Sequence, residues 1–242
     1  MKKIATLFTV LAIILSLCAC TANGSNALKE TNSSSTYTYT TPVDDGNAGE
    51  SQSTSASDIV LDDSVFTYEI NGYNEIIITG LNDFEGGSLV IPSTLNGLPV
   101  TVIRDKAFES RNDITSAIIS DSITSIENEV FENCQNLENA WIGNGATCVS
   151  GWMFRGCSKL ATVHIGDNVT LVSSGAFMLC ENLETITLGE KTAKINGQAF
   201  FGCNNLKNVY YQGNIQRKEE IYIQDLGNDV LSRAKWHYNS KV

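Results

Sequence analysis

The chain has 242 residues, 42% of them hydrophobic and 18% charged, with 27 acidic against 16 basic side chains. That is enough apolar material for a core and too little charge for a wholly disordered chain. A formal charge of −11 excludes the broad basic field that nucleic-acid binding needs, and only two histidines, His164 and His237, leave little for metal sites or general-base chemistry. At the N-terminus, Lys2 and Lys3 precede an apolar run from Ile4 to Leu17, followed by small residues and Cys20. The run is shorter than the ~20 residues of a membrane span, so residues 1–19 read as a signal peptide.

Leu17-Cys18-Ala19-Cys20 resembles the lipobox of bacterial lipoproteins. The resemblance implies cleavage before Cys20 and acylation of its thiol, with the membrane met through this lipid anchor only; two or more acyl chains give stable anchoring. Residues 20–58 form a tether: Thr21 to Asp58 holds 8 Ser and 7 Thr with no sustained apolar period. Residues 59–104 are expected to form an N-terminal cap, with a hairpin turn at Asn71-Gly72 between apolar strands.

The segment 105–212 is a repeat. Phe108, Phe131, Phe154, Phe177 and Phe200 stand 23 residues apart. Five places before each comes Ile103, Ile126, Val149, Val172 or Ile195, and six places after each comes Ile114, Leu137, Leu160, Leu183 or Leu206. Nine and eleven places after each Phe (+9 and +11) lie apolar pairs such as Val163/Ile165 and Ile186/Leu188. A period-two pattern predicts a short strand with +9 and +11 inward and +8, +10 and +12 outward. A fixed period of this length signals a solenoid whose units fold only by stacking, because ordering 23 residues at ~1.5 kcal/mol each outweighs the apolar burial of one repeat. Residues 213–242 are expected to cap the far end.

Leu160-x-x-Val163-x-Ile165-x-x-Asn168 fits the leucine-rich repeat skeleton. Phe154-Arg155-Gly156-Cys157-Ser158-Lys159-Leu160, together with Leu89-Val90-Ile91-Pro92, Gly97-Leu98-Pro99-Val100 and Ala234-x-Trp236-x-Tyr238-Asn239, resembles the BspA-like leucine-rich repeat family of bacterial surface proteins. The resemblance spans residues 59–242 and implies a β-rich leucine-rich repeat solenoid, with parallel strands, short helical turns and caps at both ends. Arg111 departs from the Cys column that Cys134, Cys157, Cys180 and Cys203 otherwise keep.

That column could be a metal or disulfide array, but parallel side chains do not converge to disulfide geometry and no C-x-x-C pair suggests zinc. Buried free thiols are the favoured reading, with Cys148, outside the column, the candidate reactive thiol. The partly acidic column Asp121, Asn144, Asp167 and Glu190 reads as a solvated rim. The binding candidates are the +10 residues Ile118, Trp141, His164, Thr187 and Tyr210, flanked at +8 by Ser116, Asn139, Thr162, Thr185 and Asn208. In a leucine-rich repeat this is the concave sheet face, and exposed rings on a rigid surface suit binding. No catalytic arrangement, metal site or cofactor site is expected. The functional expectation is an extracytoplasmic, membrane-anchored lipoprotein at the bacterial cell surface that recognises an extracellular protein or glycan. The family resemblance implies adhesion, with an envelope scaffold as the alternative and a thiol-dependent factor using Cys148 third.

Overall fold

A computed structural model describes residues 63–240; the export signal, Cys20 and the tether lie outside the described residues. A 3-10 turn, Asp63–Val65, leads into an antiparallel hairpin of β1 (Phe66–Ile70) and β2 (Ile76–Leu81). Asn71 closes its connection, accepting on Oδ1 from the backbone N–H groups of Tyr73 at 2.9 Å and Glu75 at 3.0 Å. Then come β3 (Gly87–Ile91), β4 (Thr94–Leu95) and β5 (Leu98–Ile103). From there the chain alternates longer and two-residue strands: β6 (Ile114–Ile119), β7 (Ser125–Ile126), β8 (Asn139–Ile142), β9 (Cys148–Val149) and β10 (Thr162–Ile165). The series continues with β11 (Leu171–Val172), β12 (Thr185–Leu188), β13 (Lys194–Ile195) and β14 (Asn208–Tyr211). It ends with α1 (Ile215–Glu220), β15 (Tyr222–Ile223), α2 (Val230–Arg233) and β16 (Lys235–Tyr238).

Two parallel ladders run along a β-solenoid. The long sheet has the order β16-β14-β12-β10-β8-β6-β3, and a narrower one the order β15-β13-β11-β9. Equivalent repeat positions pair directly, His164 with Trp141 on one side and Thr187 on the other, so one 23-residue repeat is one coil. β3 opens the long sheet within 59–104, and β15 and β16 carry both ladders into 213–242. The anticipated inward columns are inside. Phe108, Phe131, Phe154, Phe177 and Phe200 are at most 1% exposed, and successive ring centroids lie 5.1, 5.6, 5.5 and 5.2 Å apart.

A third ladder runs through the phenylalanine turns. The Phe154 N–H donates to the Ala176 carbonyl at 2.8 Å, Trp152 to Ser174 at 3.2 Å and Gly156 to Met178 at 2.9 Å, so alternate residues of one turn bond the next coil. To aim these groups along the solenoid, the residues two before and two after each Phe take left-handed φ, as at Lys106, Ser110, Glu129 and Asn133 near +60°. For a non-glycine residue this costs roughly 1–2 kcal/mol, and the ladder supports it.

One sequence expectation is overturned. The +12 positions, expected to point outward, are buried at Ser120, Gly143, Gly166 and Gly189. There the chain leaves the strand and the backbones of neighbouring coils close up: a Cβ on Gly166 would sit 2.6 Å from the Gly143 carbonyl oxygen, and one on Gly189 2.2 Å from that of Gly166. Glycine is a steric requirement at Gly143, Gly166 and Gly189, whereas the first and last repeats carry Ser120 and Gln212 at this position.

Phe154 has a stacked ring on each side, Phe131 and Phe177. Phe154→Ala should therefore lower unfolding stability by about 3–5 kcal/mol, measured by denaturant melts. A loss under about 1 kcal/mol would contradict the continuity of the core.

Candidate functional site

The +10 side chains all rise from the long sheet on one face, in the order Ile118, Trp141, His164, Thr187 and Tyr210. The predicted parity is correct. Their exposure is lower than expected: Ile118 and Thr187 are buried, and Trp141, His164 and Tyr210 are half-buried. The reason is the strand spacing of about 4.8 Å, at which each side chain shields the next. The Trp141 and His164 rings stack at 3.6 Å between centroids, and Tyr210 stacks on His237 at 4.3 Å. His237 thus belongs to the column, facing Tyr210 across the β14–β16 pair. It escapes a 23-residue count because the last coil is longer; its signal is the period-two run Trp236-His237-Tyr238.

Around the rings the surface is polar. His237 Nε2 lies 3.1 Å from Asn208 Oδ1, and Ser116 Oγ donates to Ser88 Oγ at 2.6 Å. Beside the +8 row an open groove of about 560 Å³ is lined by Asn139, Asn182, the carboxylates of Glu138 and Glu184, and the amines of Lys159 and Lys207. Lys207 pairs with Glu184 at 2.7 Å. His164 Nδ1 is enclosed and has no hydrogen-bond partner, and burial pushes the imidazole pKa down to about 4, opposed weakly by the charge of Asp167.

The acidic column is a scaffold element. Asp121 Oδ1 accepts from the Asn144 N–H at 2.6 Å, Asn144 Oδ1 from Asp167 N–H at 2.8 Å, and Asp167 Oδ1 from Glu190 N–H at 3.3 Å. Its carboxylates are occupied by backbone donors of the next coil, and Arg217 closes the series on Glu190 at 2.5 Å.

The thiols are structural as well. Cys134, Cys157, Cys180 and Cys203 are buried, and each Sγ donates to the carbonyl of the preceding coil's phenylalanine at 3.0–3.1 Å. Burial raises all four, Cys134 and Cys203 to about 12, so thiolates are not formed at neutral pH. Cys148, the candidate reactive thiol, is a correction: it lies in β9 and is only 5% exposed.

These ladders are the repeat's signature, and comparison with known proteins agrees. The family described as "BspA type Leucine rich repeat region" matches residues 101–225 in six copies. The chain belongs to this family. Among solved structures, a leucine rich cell surface protein from Faecalibacterium prausnitzii A2-165 is 29% identical with a TM-score of 0.58. That match covers 64% of this chain and 40% of the other, so this BspA-type chain spans well under half of that relative. The leucine rich repeat protein of T. pallidum is 25% identical with a TM-score of 0.56, covering 60% of this chain and 68% of that one. A leucine-rich repeat protein from Bacteroides ovatus, at 24% identity, TM-score 0.50 and coverage of 63% and 47%, shows the fold alone. No curated protein matches the chain.

The His164 environment sets a pH dependence. Its folded pKa, about 4, lies below the ordinary 6.5, so between these values the unfolded chain takes up a proton that the folded one refuses. Stability from this group is complete above pH ~6.5 and falls as pH drops toward 4, by on the order of 2–3 kcal/mol. His164→Gln should flatten that part of the stability profile in denaturant melts run from pH 7.5 to 4. An unchanged slope would show that the imidazole is not held neutral.

Proposed function

We propose that this BspA-type chain is a lipid-anchored, extracytoplasmic bacterial surface protein that binds a protein partner, without catalysis, through the long sheet. The observation that carries this reading is the pair of ring stacks, Trp141 on His164 and Tyr210 on His237, each across two neighbouring strands of one sheet with Thr187 between the pairs, and flanked by the polar +8 side chains. A partner meets an anchored aromatic surface whose rotamers are already fixed, which removes part of the entropic cost of binding.

Of the two ligand classes that the sequence admits, protein and glycan, the stacking favours protein. Saccharides dock their C–H faces on open aromatic faces, whereas here the ring faces are turned to one another along the column. What the surface offers is ring edges and amides, suited to aromatic, aliphatic and backbone groups of a polypeptide. The family and the cell-surface relative support placement outside the cytoplasm. Attachment through acylated Cys20 rests on Leu17-Cys18-Ala19-Cys20. Adhesion to another cell or its matrix is the use we assign to this surface. The envelope scaffold is the rival, distinguished by whether captured partners come from host matrix or from envelope extract. The thiol reading loses its support with the burial of Cys148.

Two measurements test this. Mass spectrometry of the membrane fraction should find an acylated N-terminal Cys20, and Cys20→Ala should release the protein; an unmodified mature chain starting elsewhere removes the anchor. For the sheet, partners captured from matrix proteins and envelope extract should bind the Trp141→Ala, Tyr210→Ala variant at least about thirtyfold more weakly, an expected loss of about 2 kcal/mol. Each ring also stacks on a neighbour, so the variant should lose about 1–3 kcal/mol of stability and binding is to be read well below its melting range. Unchanged affinity would move the site off this sheet.

A further inference from the structure

The long sheet is closed at one end and open at the other. In its first strand, β3, the inward Leu89 and Ile91 are fully buried. Inner coils bury the same columns as completely: Ile186, Leu188 and Val209 are 0% exposed and Tyr211 1%. In the last strand, β16, Trp236 pairs with Val209 and Tyr238 with Tyr211, so both belong to these inward columns, yet both are only half-buried. Their outer sides lack the next coil that every inner rung has.

The backbone of β16 is open in the same direction. Among the described residues it pairs with β14 alone, as the outermost strand of the sheet. The Lys235 N–H donates back to the Lys207 carbonyl at 2.8 Å. Successive residues of a strand turn their N–H and C=O groups to opposite sides, so those of Trp236 and Tyr238 point away from β14, to the edge.

The side chains at this edge are set in place. Trp236 Nε1 donates to the Leu231 carbonyl at 2.9 Å, and Lys218 Nζ lies 5.2 Å from the centre of the indole. On the ring column His237 stacks one side on Tyr210 at 4.3 Å, which leaves its other side toward the edge. Lys235, which begins the strand, is exposed. An edge lysine discourages unselective pairing and favours a carboxylate opposite it.

We propose that β16 takes up an extended segment of the protein partner as the next parallel rung of the long sheet. Its amides bond Trp236 and Tyr238, its alternate apolar side chains cover their rings, and a carboxylate at its start faces Lys235. Only a polypeptide offers both a ladder of amides at strand spacing and side chains on alternate faces. That the partner is a protein is taken from the proposed function; the open rung adds what that partner brings, an apolar-alternating strand with an acidic start. Trp236, held by Leu231 and Lys218, has little freedom left to lose when it is covered.

The probe is a fluorescein-labelled peptide, Glu-Val-Tyr-Val-Thr-Gly, titrated with the full chain and read by fluorescence anisotropy. Four residues of edge bind weakly, so a dissociation constant of roughly 0.1–1 mM is expected. Methylating the Tyr nitrogen of the peptide, which faces β16, should raise it at least about tenfold, and methylating the Val nitrogens, which face away, less than about threefold. Lys235→Glu should weaken binding, whereas Trp141→Ala, remote from the edge, should leave it unchanged. No binding at millimolar peptide, equal or reversed effects of the two methylations, or a parent chain whose β16 is already paired with a second copy would overturn the proposal. If the peptide fails while captured partners still depend on Trp141 and Tyr210, the open rung is wrong and the sheet-face reading stands. If the peptide binds as expected while those partners ignore both rings, the rung stands and the sheet face is not the site.

Discussion

Every feature of this chain depends on coils stacked in register at about 4.8 Å, because no single coil can satisfy its own groups. The phenylalanine carbonyls show how far this goes. Phe131 O accepts the Cys134 N–H of its own turn at 3.2 Å and the Cys157 thiol of the next coil at 3.0 Å, so both lone pairs are used, one locally and one across the stack. Cysteine is suited to this place because its thiol is small, apolar enough to bury and still a donor. The same logic accounts for Arg111. No phenylalanine turn precedes its coil, so a thiol there would find no carbonyl of this kind, and Arg111 instead pairs with Asp113 at 2.6 and 2.9 Å, which holds the Asp113 carboxyl below its ordinary range.

Stacking also decides which parts of the structure were legible in the sequence. The Phe column, the flanking apolar columns and the strand parity repeat at a fixed interval, and a fixed interval in sequence becomes a straight column in space. What escaped were properties of the space between columns. Burial of Gly143, Gly166 and Gly189 depends on how closely adjacent backbones approach where the strand ends, and the half-burial of Trp141 and His164 depends on neighbours one coil away. The acidic column is exposed, as a solvated rim should be, but its bonding role escaped: the oxygens of Asp121 and Asp167 reach one coil along to cap backbone N–H groups. His237 was hidden by arithmetic, its coil being longer than 23 residues.

A solenoid built this way leaves those surface columns that make no bonds to the next coil's backbone free to diverge. In this chain the freedom is used differently on two faces. On the long sheet, consecutive rings and imidazoles are gathered into stacks that fix one another, at the expense of an enclosed and unpartnered His164 Nδ1. On the phenylalanine turns, charge dominates the first coils and apolar side chains the later ones.

The backbone adds weight to the second face. A left-handed residue could be Gly or Asn without strain, as Gly156, Gly175 and Asn133 are, and the coil geometry would be unchanged. Trp152 and Leu179 take the unfavourable conformation and leave much of their apolar surface in water, so neither local propensity nor core burial accounts for them. Residues that local and tertiary physics both disfavour mark places where something outside the fold sets the choice. The stiffness of the stack then matters for function, because turns held by backbone bonds to the next coil present Trp152, Leu179 and Phe201 at fixed spacing, with little conformational freedom left to lose on contact.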